Sequence, residues 1–396
     1  MHSNEYIQFF DGGIEPKLEN LGGKGASLVT MTSAGMPVPP GFVVTTAQFD
    51  AFMEEAGITR DIHELLAGLD PEDMAQVDKV AAAIREDIRS RQVPQALREL
   101  TVTAYESLMA RFEAPVPVAV RSSATAEDLP DASFAGQQDT YLWLDGVKAV
   151  TEHIRQCWAS LFTSRAIIYR LKNNIPNEGL SMAVVVQKMV NARVSGVAIT
   201  MDPTNGDRSK ITIDSSYGVG EMVVSGQVTP DNIMLDKVTL AVVSEHLGDK
   251  HAELVPDAAA GRLVEREVDA ERRGRRSLTD AELTAVAQMA KRAEKHYKCP
   301  QDIEWALDAD LPDGENLLLL QSRPETVHSS KPVVPSSAIA GGYFSGLSPA
   351  PAASPAATPP PAGNAPSSAT PSSATPSSAS GFSLGSITAS LLKPSF

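Results

Sequence analysis

The side chains best suited to chemistry lie in three stretches that mix glycine or hydroxyl groups with charge. The first, Leu21-Gly22-Gly23-Lys24-Gly25-Ala26-Ser27, stands just ahead of an apolar helical run. Glycines let the backbone approach a ligand closely, and a lysine there reaches a phosphate as a point charge. The GxxxxGK[ST] spacing is missing, and alone the stretch reads first as a structural turn. The second runs Val118-Ala-Val-Arg121-Ser122-Ser123-Ala124 and on to Asp131-Ala-Ser133-Phe134-Ala135-Gly136-Gln137-Gln138. A strand ending in Arg-Ser-Ser sets a guanidinium and two hydroxyls at a loop mouth, and a small-residue loop offers N–H groups to the same phosphates. Arg121 as a buried salt-bridge partner is the competing reading. The third pairs Asp302-Ile-Glu304 with Gln321-Ser322-Arg323. On strands, residues i and i+2 share a face, so carboxylates, amide and guanidinium converge. Oxygen ligands beside substrate phosphates suit Mg²⁺, although two salt-bridged strands would look alike.

Weaker signals lie between these. Gln187-Lys-Met189-Val190 is an apolar strand end that could line an adenine slot or be plain core. Tyr217-Gly-Val-Gly-Glu221 is a glycine-containing loop with one carboxylate, and a lone GxG is weak evidence. The seven histidines form no metal pattern such as HExxH, and none sits in a Gly/Ser/Thr-rich loop that would present an imidazole for phosphorylation. No Gly-x-Ser-x-Gly elbow appears, which argues against a serine hydrolase.

The net charge of -15, from 34 basic and 49 acidic side chains, disfavours non-specific binding to nucleic acid or anionic lipid. Two cysteines imply no disulfide framework and fit a reducing cytosol. With no basic-then-apolar leader and no apolar run of membrane-spanning length, a soluble cytoplasmic protein is expected.

Helices are expected over 71–89, opened by Asp70 and Pro71, over 94–112, and as one long helix over 147–171. Another is expected over 279–297, opened by Ser277-Leu-Thr-Asp. Strands are expected at 116–121, 184–189, 194–200, 210–215, 302–306 and 317–321. This mixture predicts an α+β or α/β architecture of two lobes. The domains read as 1–115, a helix-rich part, and 116–330, which carries the phosphate, adenine and metal lobes. From 331 to 380 charge nearly vanishes and Pro, Ser and Ala dominate, predicting a disordered linker. Residues 381–396 regain Phe382, Leu384, Ile387, Leu391, Leu392 and Phe396, as either a frayed tail or a docking peptide.

Together the motifs resemble the N-terminal nucleotide-binding part of the phosphoenolpyruvate synthase and pyruvate phosphate dikinase family over roughly residues 5–328. They are Leu-Gly-Gly-Lys-Gly-Ala-Ser, Val-Arg-Ser-Ser-Ala-Thr-Ala-Glu-Asp, Ser-Phe-Ala-Gly-Gln-Gln, Gln-Asp-Ile-Glu-Trp-Ala and Gln-Ser-Arg-Pro. The resemblance implies an α+β, two-lobed ATP-grasp fold that clamps ATP and Mg²⁺. It implies that Lys24 and Arg121 hold phosphates and that Glu304 and Gln321 ligate Mg²⁺. Asp302 and Arg323 would complete the site, with Gln187, Met189 and Val190 near adenine. Members of the family cleave ATP to AMP and phosphorylate a histidine on a mobile domain. Here a Pro/Ser linker follows Gln-Ser-Arg-Pro and no histidine lies beyond His328, so a separate histidine-bearing subunit is expected as partner. That layout is similar to the β subunit of phenylphosphate synthase. A fragment of a phosphoenolpyruvate synthase, or a non-catalytic nucleotide sensor or scaffold, would read alike.

Overall fold

A computed structural model describes residues 3–125, 139–173, 175, 180–257, 259–326 and 328. The chain divides into two units, Met1–Val334 and Pro335–Phe396. The second unit, and with it the expected linker and docking peptide, lies outside the described residues, as do Ser133 and Gly136.

Two larger antiparallel sheets carry the first unit, and strands Ala252–Asp257 and Arg262–Glu267 form a third, two-stranded one. A five-stranded sheet runs in the order Ile7–Phe9, Gly41–Val44, Met182–Lys188, Val118–Ala124, Thr140–Leu144. A six-stranded sheet runs Leu317–Pro324, Gln301–Asp308, Ala192–Ile199, Lys210–Tyr217, Asp231–Asp236, Val242–His246. Each neighbouring pair in both sheets is antiparallel, which makes the class α+β. The chain passes from the first sheet to the second once, through the three residues 189–191.

Alternation along the central strand explains its unbroken apolar run. Met182, Val184 and Val186 face a core built with the helices Thr46–Glu55, Met74–Ser90, Gln95–Met109 and Gly146–Ala159. Ala183 and Val185 face a second core, shared with Leu21, Leu28 and Met31 of the helix Leu18–Ser33. A strand buried on both faces has no polar side to show. The second core continues into Ile213, Ile303, Trp305 and Leu319 of the six-stranded sheet and Val286 and Ala290 of the helix Asp280–Tyr297. Helix Leu18–Ser33 is therefore packed against both sheets at once. This face sets where its lysine must emerge.

Three local expectations are corrected. The helix expected over 71–89 begins at Met74, capped by Asp73, whose carboxylate accepts from Gln76 N at 3.1 Å. Pro71 instead sits in a turn closed by Asp73 N and Asp70 O at 3.1 Å, where its fixed φ is useful. The helix expected over 147–171 is broken by a 3₁₀ turn at Ser160–Phe162, and Thr163 caps a new helix, Ser164–Lys172. Ser160 donates to Cys157 O at 2.6 Å, a local bond that competes with helix continuation. The capping box of the helix Asp280–Tyr297 is Thr279 with Glu282, not Ser277 with Asp280. Ser277 is diverted: its hydroxyl and its N–H both donate to Asp231, at 2.9 and 2.8 Å.

Asp231 anchors a buried charge pair with Lys250, at 2.5 Å, both side chains fully shielded from solvent. Its other bonds come from Gly248 N and Ser277. Asp231→Ala should destabilise the fold by about 3–5 kcal/mol, because it strands a buried ammonium. Denaturant unfolding followed by tryptophan fluorescence reads that loss, and a change under about 1 kcal/mol contradicts this role.

Candidate active site

The glycines of Leu21-Gly-Gly-Lys-Gly are a kink in a helix, not a loop ahead of one. Gly22 has φ 63° and ψ 176°, inside the helix Leu18–Ser33. This region is open essentially to glycine alone. A Cβ at Gly22 would lie 2.1 Å from the carbonyl oxygen of Ser123. Ser123 fastens the kink: its hydroxyl donates to Leu21 O at 2.8 Å and accepts from Gly25 N at 3.0 Å. Ser27 ties the next turn to the other sheet by donating to Ser322 O at 2.7 Å. The lysine motif, the Arg-Ser-Ser strand and the Gln-Ser-Arg-Pro strand are thus physically joined.

Between them opens a cleft of about 480 Å³. Lys24, Arg121, Gln187, Met189, Val190, Glu221, Glu304, Gln321 and Arg323 all line it. One end is apolar, where Met189, Val190, Ala119, Val219 and Ala306 form a small core with Leu142 and Leu320. Gln187 is held there by its amide, which donates to Pro39 O at 3.1 Å. Glu221 opens a short helix, Glu221–Val224, where the sequence reading had a loop.

The other end is charged. Strands Gln301–Asp308 and Leu317–Pro324 place Glu304 opposite Gln321 and Asp302 opposite Arg323. Arg121, reaching from the five-stranded sheet, donates to Gln321 Oε1 at 2.7 Å, to Glu304 Oε2 at 3.2 Å and to Leu320 O at 3.3 Å. The two readings of Arg121 are therefore compatible, since it is salt-bridged and lines the cleft. Asp302 does not line the cleft. Its carboxylate pairs with Arg323 at 2.8 Å, one position deeper along the strand. Burial pushes the Asp302 carboxyl above its ordinary value, outweighing the Arg323 charge.

That shift has a sign that can be read. A carboxyl raised in the folded state holds its proton more tightly there than when unfolded, so its stabilising contribution is lost as pH rises through the folded value. The melting temperature of Asp302→Asn minus that of the wild type should therefore increase from about pH 4.5 to about pH 7. A difference that is flat or falls with pH contradicts it.

Residues with weaker sequence signals also line the cleft. Tyr297 contributes from the last turn of its helix, with its hydroxyl 3.3 Å from Ser27 Oγ, and burial raises its pKa. Lys188 lines the apolar end, where its ammonium donates to Met189 O at 3.2 Å and lies 3.5 Å from the buried Asp308. Tyr297 stood in no recognisable pattern, and Lys188 only as an interior residue of the Gln187–Val190 stretch.

The family described as pyruvate phosphate dikinase, AMP/ATP-binding domain, matches residues 18–340. The chain belongs to this family. The dikinase-family segment is 45% identical to a probable phosphoenolpyruvate synthase of Methanothermobacter thermautotrophicus, over 81% of this chain and 46% of that protein. A phosphoenolpyruvate synthase of Aeropyrum pernix is 41% identical, over 78% of this chain and 41% of the relative. The chain spans less than half the length of these relatives. Among solved structures, D-alanyl-alanine synthetase A from Vibrio cholerae overlaps 64% of this chain and 56% of its own, at 10% identity and a TM-score of 0.25.

A divalent ion fits the charged end by the chemistry of its donors. Among the described residues no group of three or more His, Cys, Asp or Glu could hold a metal by itself. Glu304 and Gln321 offer one carboxylate and one amide oxygen, and Mg²⁺ commonly completes its octahedron with phosphate oxygens and water. Among the described residues no helix is long and apolar enough to cross a membrane.

Proposed function

We propose that this dikinase-family chain binds Mg-ATP in an ATP-grasp cleft and passes a phosphoryl group to a histidine on a separate subunit. The observation that carries this reading is the cleft itself. One end is apolar, which suits a base, and the other sets Arg121 against two metal-suited oxygens, with Lys24 and Arg323 also lining the cleft. Among the described residues no histidine lines the cleft, which supports an accepting imidazole brought from elsewhere.

Chemistry of this kind rests on position and charge. Lys24, Arg121 and Arg323 orient the polyphosphate and offset the charge that spreads over the moving phosphoryl group. Mg²⁺ held by Glu304 and Gln321 would supply further neutralisation of the phosphate oxygens when bound. Met189 and Val190 seat the base in an apolar slot that excludes water, which limits unproductive hydrolysis. Over the full cycle, ATP, histidine and water give AMP, phosphate and phosphohistidine.

The test combines the chain with Mg-ATP and a histidine domain from a phosphoenolpyruvate synthase, then measures AMP and acid-labile phosphate. AMP formed equally well without the histidine domain contradicts the split mechanism. In the phenylphosphate synthase-like form of the reading, the phosphohistidine passes its group to phenol. The names of the relatives favour pyruvate as a second reading, with this chain as part of a phosphoenolpyruvate synthase. Supplying phenol and pyruvate in parallel separates them. A nucleotide sensor would bind ATP and yield no AMP with either acceptor.

A further inference from the structure

We infer that Arg121 is a built-in counter-cation: it occupies the oxygens of Glu304 and Gln321, so a bare divalent ion is excluded until a polyphosphate draws the guanidinium away. This rests on the nucleotide reading above and adds the order in which the charges of the site are exchanged.

One nitrogen, Arg121 Nη2, spans both oxygens nominated for the metal, 2.7 Å from Gln321 Oε1 and 3.2 Å from Glu304 Oε2. The other terminal nitrogen donates to Leu320 O at 3.3 Å, which fixes the plane of the fork. An ion at about 2.0–2.1 Å from these oxygens would sit against the guanidinium, cation beside cation, although each oxygen keeps a second lone pair. Metal and guanidinium therefore compete for the same two oxygens. The Arg121 and Glu304 side chains are 12% and 25% exposed, so solvent screens their contest only in part.

The charge balance points the same way. Glu304 and Gln321 together carry a single negative charge, which one guanidinium already balances. A dication arriving alone would leave the pair overcharged and push Arg121 from its carboxylate with no anion to receive it. Phosphate oxygens accept the guanidinium fork in two parallel bonds, so a polyphosphate supplies what the bare ion lacks. Metal and nucleotide are thereby coupled, and each raises the affinity of the other by the same factor.

The experiment titrates the full chain with Mn²⁺ alone and follows the free-ion signal by electron paramagnetic resonance. Without nucleotide, Arg121→Gln should take up Mn²⁺ at least about 10-fold more tightly than the wild type, within the usual range of coupling between sites. Arg121→Lys keeps the charge but loses the fork and should fall between them, which preserves the comparison if Arg121→Gln folds poorly. The double variant with Glu304→Ala should lose the gain. Equal uptake by wild type and both Arg121 variants overturns the inference, and so does a gain that survives in the double variant. A wild type that binds no β,γ-imido-ATP with or without Mn²⁺ defeats the dikinase reading instead, while the nucleotide-free comparison remains decisive for Arg121.

Discussion

Gly22→Ala is expected to lower the stability of the chain by about 3–5 kcal/mol, seen as a melting temperature roughly 10 °C lower. Two costs add. The backbone at Gly22, with φ 63° and ψ 176°, is one that side-chain-bearing residues almost never adopt. A methyl group would also be built 2.1 Å from the Ser123 carbonyl oxygen, an atom of a central strand that cannot swing aside. Relief requires the helix Leu18–Ser33 to withdraw from the strand Val118–Ala124, which breaks the Ser123 bonds to Leu21 and Gly25. Lys24 lies between those two anchors, so nucleotide affinity should fall with stability. The contrast is Gly13, also at positive φ but with open space where a Cβ would go, where alanine should cost about 1 kcal/mol. Thermal melts of the two variants side by side check this. Equal losses would mean that the kink carries no special burden.

Glu304→Ala is expected to weaken Mn²⁺-ATP binding by about 100-fold or more, the scale of removing one partner from a shielded ion pair. The variant deletes the oxygen proposed for the metal and leaves Arg121 facing an amide alone. Glu304→Gln is the informative companion, since it keeps an oxygen in place and removes only the charge. Calorimetric titration should order them wild type, Glu304→Gln, Glu304→Ala. Near-equal affinities across the three would separate Glu304 from the nucleotide altogether.

Much of this site could be read from strand alternation and residue chemistry. Glu304 and Gln321 face each other because each sits at an inward position of adjoining strands, which a two-residue period predicts directly. The same rule placed Asp302 beside Arg323, yet it could not say that Arg323 lines the cleft while Asp302 does not. Depth along a strand depends on where the neighbouring layer ends. Ser123 was visible only as one of two hydroxyls in Arg-Ser-Ser, because its partners, Leu21 and Gly25, lie about a hundred residues earlier. Long-range bonds of that kind leave no local pattern. Ser277 misled for a related reason. Its spacing to Asp280 imitates a cap, but the buried Asp231 offers a better acceptor and the helix starts two residues later. The strands from Asp231 to Glu267 escaped notice because Asp, Glu, Lys and Arg interrupt their alternation. Structure shows those charges satisfied in pairs, such as Glu253 with Arg266 and Arg272.

Two of the three residues that carry the chain from one sheet to the other, Met189 and Val190, also line the apolar slot of the cleft. This double duty limits how the slot can be remade. Adding or deleting one residue there would slip the ladder of Met182–Lys188 against that of Ala192–Ile199, and a one-residue slip turns every inward side chain outward. Reshaping the slot must therefore proceed by exchange, at Lys188, Met189 or Leu142, and leave the length of the passage alone.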